Sequence, residues 1–133
     1  MKKILALILI ITLFSISLCS CGKYVSSYRA IGLIRSNTSH SCKASFYSLE
    51  GELVFKLKRS DSGEGDVQYS VSVEEGEIHL YYDIYGTKSE LARVKAGENL
   101  NGRGGYVEGG KTVYIIIEAA KGSRGEVSVE LDG

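Results

Sequence analysis

The sequence predicts an all-β mature domain, an antiparallel sandwich of about seven strands preceded by a cleaved signal helix. Three observations predict it. From residue 42 onward apolar residues recur at every second position, the period of a strand with one buried and one wet face. Glycine-bearing dipeptides such as Glu50-Gly51 and Glu75-Gly76 punctuate these runs, and glycine takes the positive φ that tight turns require. No amphipathic helical period follows residue 20.

The N-terminus comes first. Met1-Lys2-Lys3 precedes an apolar run from Ile4 to Leu18 interrupted only by Thr12, Ser15 and Ser17, the layout of a bacterial export signal. A stable membrane span needs about 20 apolar residues, and this run is shorter. It ends in Leu18-Cys19-Ser20-Cys21-Gly22. That segment resembles the lipobox of bacterial lipoproteins: an aliphatic residue at the third place before a cysteine, small residues between, and cleavage just before the cysteine. The resemblance implies that residues 1–20 are removed, that the Cys21 thiol becomes a thioether to diacylglycerol, and that Cys21 becomes the new N-terminus. Ordinary signal cleavage after Ser20 would want a small residue where bulky Leu18 stands. Two acyl chains hold a protein on a membrane stably where one does so only marginally. The expected location is therefore extracytoplasmic, on the outer face of the cytoplasmic membrane.

Processing changes the arithmetic. Loss of Lys2 and Lys3 leaves 14 basic against 16 acidic side chains, so no basic surplus exists to attract a nucleic acid. Loss of Cys19 and alkylation of Cys21 leave Cys42 as the sole free thiol, which rules out an intrachain disulfide. Hydrophobic content of 44% is too high for a disordered chain.

Residues 21–40 read as the lipidated cysteine and a serine-bearing tether, with Ala30-Ile31-Gly32-Leu33-Ile34 as a candidate edge strand. The sandwich is assigned to 41–133. Cys42, Ala44 and Phe46 form one inward set, and Leu53, Phe55 and Leu57 the next. Taking Glu50-Gly51 as a two-residue turn places Phe46 opposite Phe55 and Ala44 opposite Leu57. The same rule at Glu75-Gly76 pairs Val73 with Ile78, Val71 with Leu80, Tyr69 with Tyr82 and Val67 with Ile84, all on one face. Leu91 to Ala96 is a weaker strand. Gly97 to Gly110, with six glycines, reads as a long connection. Lys111 to Ala119 is nearly continuous in apolar residues, as in a central strand covered on both faces. Glu126 to Asp132 closes the chain with Val127, Val129 and Leu131 alternating with polar residues. The sandwich class fits an immunoglobulin-like or jelly-roll-like layout.

The order of these signals resembles small lipoproteins of Gram-positive bacteria whose mature domains are predicted sandwiches. The residues that carry the likeness are Val73-Glu74-Glu75-Gly76-Glu77-Ile78, Tyr114-Ile115-Ile116-Ile117-Glu118 and Gly125-Glu126-Val127-Ser128-Val129. Secreted bacterial domains found beside peptidase modules look similar too. Neither likeness brings catalytic residues with it.

Candidate chemistry is sparse. Nucleophilic catalysis needs a base beside its nucleophile, and the mature chain has only His40, in the tether, and His79, on the outer side of its strand. Cys42 falls on an inward face, where a thiol behaves as a small hydrophobe. No cysteine or histidine spacing suits zinc. Asp61, Glu64 and Asp66 gather three carboxylates among two glycines, a candidate calcium loop without the closing glutamate of an EF-hand. His79, Tyr81, Asp83 and Tyr85 alternate on one outer face, with Gln68 and Ser70 expected beside them across the hairpin. Such an aromatic and polar surface suits a sugar ring. The bland alternative is that these tyrosines merely favour a pleated surface or are covered by the loop from Gly97. The glycines of Asn101 to Tyr106 precede a strand, which does not suit a phosphate cradle. The sequence therefore points to a non-enzymatic, lipid-anchored binding or structural protein of the cell envelope that needs no cofactor. Its partners are the membrane through Cys21 and an envelope protein or polysaccharide. A glycan- or calcium-binding module and an enzyme of unrecognised site are the competing readings.

Overall fold

The computed structural model describes residues 24–59 and 65–131. The signal segment 1–20, Cys21, Asp61 and Glu64 lie outside the described residues. Eight strands follow in order: β1 (Ser27–Ile31), β2 (Ile34–Asn37), β3 (Ser41–Lys58), β4 (Gly65–Glu75), β5 (Glu77–Asp83), β6 (Ser89–Lys95), β7 (Asn99–Val107) and β8 (Thr112–Leu131). All their pairings are antiparallel. The all-β, antiparallel sandwich is therefore what forms, with eight strands in place of seven.

Two long strands organise it. β3 has 18 residues and β8 has 20, against about 5 or 6 for a common strand. They pair from Ser41 opposite Glu130 to Lys58 opposite Thr112. The register shifts between Phe46 and Gly51, and at that bulge the pair passes from one layer to the other. The first layer runs β2-β3-β8-β4-β7 and uses the early half of β3 with the late half of β8. The second runs β1-β3-β8-β5-β6 and uses the opposite halves. Between them lies one apolar core in which Phe55, Leu57, Leu80, Ile115 and Ile117 are fully buried. Ile116, on the other side of β8, is buried too, so β8 is a central strand that is covered on both faces at this point in its first half.

Both expected hairpins are corrected. β3 runs straight through Glu50-Gly51, and Phe46 and Phe55 lie opposite Gly125 and Ile115 of β8 rather than opposite each other. A bulge and a two-residue hairpin both switch the inward set from even to odd numbers, so the apolar pattern does not separate them. At Gly51 the φ of 108° serves a close approach: a Cβ there would lie 2.3 Å from the Ser27 carbonyl oxygen. Likewise β4 and β5 do not pair with each other; each pairs with a different half of β8. Val71 and Leu80 are both buried, but in facing layers. Glu75-Gly76 is the corner between layers, held by Ser123, whose hydroxyl donates to the Ala120 carbonyl at 2.6 Å and accepts from the Glu77 amide at 3.2 Å.

Three further expectations change. The connection from Gly97 to Gly110 contains strand β7, paired with β4. Its glycines make room for inward tyrosines: a Cβ on Gly102 would lie 2.5 Å from the Tyr69 hydroxyl, and one on Gly105 would lie 2.5 Å from the Tyr82 ring. The strands expected at 111–119 and 126–132 are one strand, β8. Most of the expected tether is ordered structure, since β1 and β2 pair with β3. Only residues 22 and 23 stand between Cys21 and the first described residue, Tyr24, a reach of about 11 Å at most. Among the described residues no helix is long and apolar enough to cross a membrane.

Candidate functional site

The outer face of the second layer brings the sequence-predicted residues partly together. Strand register sets Glu52, Glu118, His79 and Arg93 in one row across β3, β8, β5 and β6. The next row holds Val54, Ile116, Tyr81 and Glu90, and the third Lys56, Tyr114 and Asp83. Lys88 reaches over this surface, with its ammonium 2.6 Å from Glu118 Oε1 and 4.4 Å from the centre of the Tyr81 ring. His79 Nδ1 lies 3.3 Å from the Tyr81 hydroxyl and its Nε2 lies 3.4 Å from Glu77 Oε1.

Burial and charge coupling shift the groups of this cluster. Burial and the neighbouring Glu118 raise the Glu52 carboxyl above the ordinary range. Burial also pushes Glu118 upward, but its hydrogen bond and ion pair with Lys88 outweigh that and hold it below. Lys88 is raised in return, chiefly through its hydrogen bond to Glu118. Burial and the charges of Glu118 and Glu90 raise the Tyr81 phenol. Glu77, His79 and Glu118 also line a groove of about 230 Å³.

Asp83 and Tyr85 do not join it. Asp83 is on the expected face but 2% exposed, because the Tyr24 hydroxyl donates to its Oδ2 and the Gly86 amide to its Oδ1 at 2.6 Å. It is a structural clasp for the N-terminal segment, and the Tyr24 ring also packs 5.4 Å from that of Tyr114. The hydrogen bond to Asp83, with burial, pushes the Tyr24 phenol up to about 12. Tyr85 stands past the end of β5, exposed, with Lys111 Nζ 5.8 Å from its ring centre. Gln68 and Ser70 lie in the other layer, so the expected surface of six residues is not assembled. Of the segment from Gly97, Gly105 of β7 lies against the Tyr82 ring.

Cys42 is buried, and burial raises its thiol to about 12, so it stays protonated and inert. Of the candidate calcium loop only Asp66 is described, and the Arg59 guanidinium donates to its carbonyl oxygen at 3.2 Å. A cation thus already stands at that end of the loop. His40 lies at the β2–β3 turn, where its carbonyl accepts from the Leu131 amide at 2.8 Å.

A second surface has no counterpart among the sequence-predicted residues. On the outer face of the first layer, one row holds Lys43, Ser128, Ser70 and Asn101, and the next Ser45, Glu126, Ser72 and Asn99. Lys43 pairs with Glu126 at 2.9 Å, and the Ser72 hydroxyl donates to Asn99 at 2.6 Å. Beyond them the Arg124 guanidinium lies 4.1 Å from the centre of the Tyr47 ring and 3.7 Å from Glu74. Tyr47 is 60% exposed. A groove of about 350 Å³ runs past Tyr47, Arg124, Glu74 and Ser72, and another of about 420 Å³ past Gln68, Ser70, Asn101 and Arg103. The signal was present in Ser70-Val71-Ser72-Val73 and Val127-Ser128-Val129, whose outward positions are short hydroxyls where a solvated strand commonly carries long charges.

No family model matches this sequence, and no curated protein matches it. Among solved structures the chain is similar to a mutant family 29 carbohydrate-binding module complexed with mannohexaose, at 13% identity and a TM-score of 0.42, over 80% of this chain and 77% of that one. It is also similar to Drosophila melanogaster CENP-C bound to CAL1, at 13% identity and a TM-score of 0.36, over 84% and 83%. A third likeness, to Fe(II)-HppE with an alternative substrate, has 18% identity and a TM-score of 0.30 over 79% and 56%. TM-scores below 0.5 give these likenesses no weight in the function of this chain.

Proposed function

We propose that the chain is a lipid-anchored, extracytoplasmic β-sandwich that binds an envelope component rather than transforming it. The observation that supports binding over catalysis is the state of the candidate nucleophiles: the Cys42 thiol is buried and held protonated, and the Tyr81 phenol beside His79 is raised rather than lowered. Activation of a nucleophile lowers its pKa or supplies a base that takes its proton. The anchor rests on the lipobox-like Leu18-Cys19-Ser20-Cys21, and Tyr24 clasped to Asp83 and Tyr114 agrees with a domain held close to the bilayer.

Metabolic labelling with a radiolabelled fatty acid tests the anchor. The wild-type chain is expected to take label and fractionate with membranes, and Cys21→Ala to lose both. Membrane retention of the unlabelled variant would instead mean that residues 4–18 act as an uncleaved span. For the non-catalytic half, substitution of His79 by Gln is expected to leave ligand retention unchanged and to abolish no turnover. A hydrolytic activity lost in that variant would overturn the reading.

A further inference from the structure

We infer that the outer face of the first layer is a binding track for a neutral polysaccharide, with Tyr47 as its stacking residue. The inference deepens the proposed binding function, on which it rests, and is independent of the anchor. Strand alternation turns Ser45, Ser70, Ser72, Ser128, Asn99 and Asn101 to the same side, in two adjacent cross-strand rows. Hydroxyl and amide groups both donate and accept, as sugar hydroxyls do, and their short side chains let a polymer come close to the sheet. The two grooves lie along β4, one reaching Ser72 and the other Ser70, so they follow one another on the same face.

The charges select the class of ligand. Lys43 is matched by Glu126 and Arg124 by Glu74, and Arg103 of the second groove shares a cross-strand row with Glu130 through Gln68. A polyanion would need a basic surplus here, and an apolar peptide would need an apolar floor. Neutral polyhydroxyl chains fit both conditions. Tyr47 supplies the remaining requirement, a rigid aromatic surface. Its ring packs against the Arg124 guanidinium, 4.1 Å from the ring centre, and Gly32 lets its own backbone come close, since an added Cβ there would lie 3.1 Å from the Tyr47 Cβ. Among the described residues the buried Arg124 Nε has no hydrogen-bond partner, and the guanidinium lies between the Tyr47 ring and Glu74. The wet aromatic ring and the carboxylate beside it form one edge of the groove.

The test uses the full chain purified from membranes in detergent, with insoluble cellulose, mannan and galactan as probes and polygalacturonate as the anionic comparison. The wild type is expected to be retained by at least one neutral polymer and more weakly by polygalacturonate. Tyr47→Ala should weaken that retention about tenfold or more, and Ser70→Arg, which places bulk on the exposed middle of β4, should do the same. Both should melt as the wild type does; where Tyr47→Ala does not, Ser70→Arg decides. Tyr81→Ala, on the opposite layer, should bind normally. Retention by none of the three neutral polymers would overturn the inference, as would a preference for polygalacturonate or wild-type retention by a folded Ser70→Arg. Cys21→Ala should keep the retention while losing the membrane, which separates failure of the track from failure of the anchor.

Discussion

Glu52 and Glu118 stand side by side in a row of strand residues, and their opposite shifts make opposite contributions to stability. A carboxyl raised in the folded state contributes fully below its unfolded value, near 4.3, and loses that contribution as pH rises through the raised value. Glu52 therefore opposes folding at neutral pH. Glu118, held low by Lys88, contributes above the ordinary range and loses its contribution as pH falls through its lowered value. Glu52→Gln is expected to raise the melting temperature at pH 7 and to give no gain below about pH 4, whereas Glu118→Gln should lower it at pH 7 through a loss of stability of at most about 1 kcal/mol for so exposed a pair. Thermal melts of both variants across pH 3 to 8 check the signs. Arg59 offers a second test. It is 1% exposed, donates through Nη2 to the Asp66 carbonyl, and leaves Nε and Nη1 without a partner among the described residues. An uncompensated buried cation opposes folding, while its long stem still packs. Arg59→Met should hold or raise the melting temperature; Arg59→Ala should lose about 2 to 5 kcal/mol through the cavity it opens.

Among the elements, β8 carries most of the pairing, since β3, β4 and β5 all hydrogen-bond to it. Ile117 is fully buried at the pairing of β8 with β3 and β5, so Ile117→Ala should lose about 2 to 5 kcal/mol by chemical denaturation. A loss under about 1 kcal/mol would contradict a central strand. β7 makes a different prediction. An Ala at Gly102 would drive its methyl into the Tyr69 ring, whose hydroxyl bridges the layers to the Leu91 carbonyl at 3.0 Å. Gly102→Ala should therefore lose about 1 to 3 kcal/mol, and pairing it with Tyr69→Phe should recover part of the loss. The glycine content of this stretch was legible as a break, but not as packing, because a glycine facing a ring and a glycine in a loop are the same letter. Only the partner strand tells them apart.

At the scale of the molecule, β3 must find β8 across some fifty to ninety intervening residues, from Lys58 with Thr112 to Ser41 with Glu130. Non-local pairing of this kind costs loop-closure entropy before it is rewarded, so refolding of the β-domain should take milliseconds to seconds. Stopped-flow tyrosine fluorescence checks this, and a phase completed in microseconds would contradict it. The sequence by itself determined which residues are inside: Cys42, Ala44, Phe46, Leu53, Val71, Leu80, Ile115 and Val129 are all buried as alternation requires. It determined the strand class as well, because a period of two is a local property of the pleated backbone. Tertiary structure alone decided which strand each one pairs with. Val71 and Leu80 satisfy the same pattern whether they sit side by side in a hairpin or face each other across the core, and hydrophobic burial has no direction with which to choose. For the same reason the track at Tyr47, Ser45 and Ser72 is invisible one strand at a time: its residues come from β3, β4, β7 and β8, and only the register of those strands within the first layer puts them on one face.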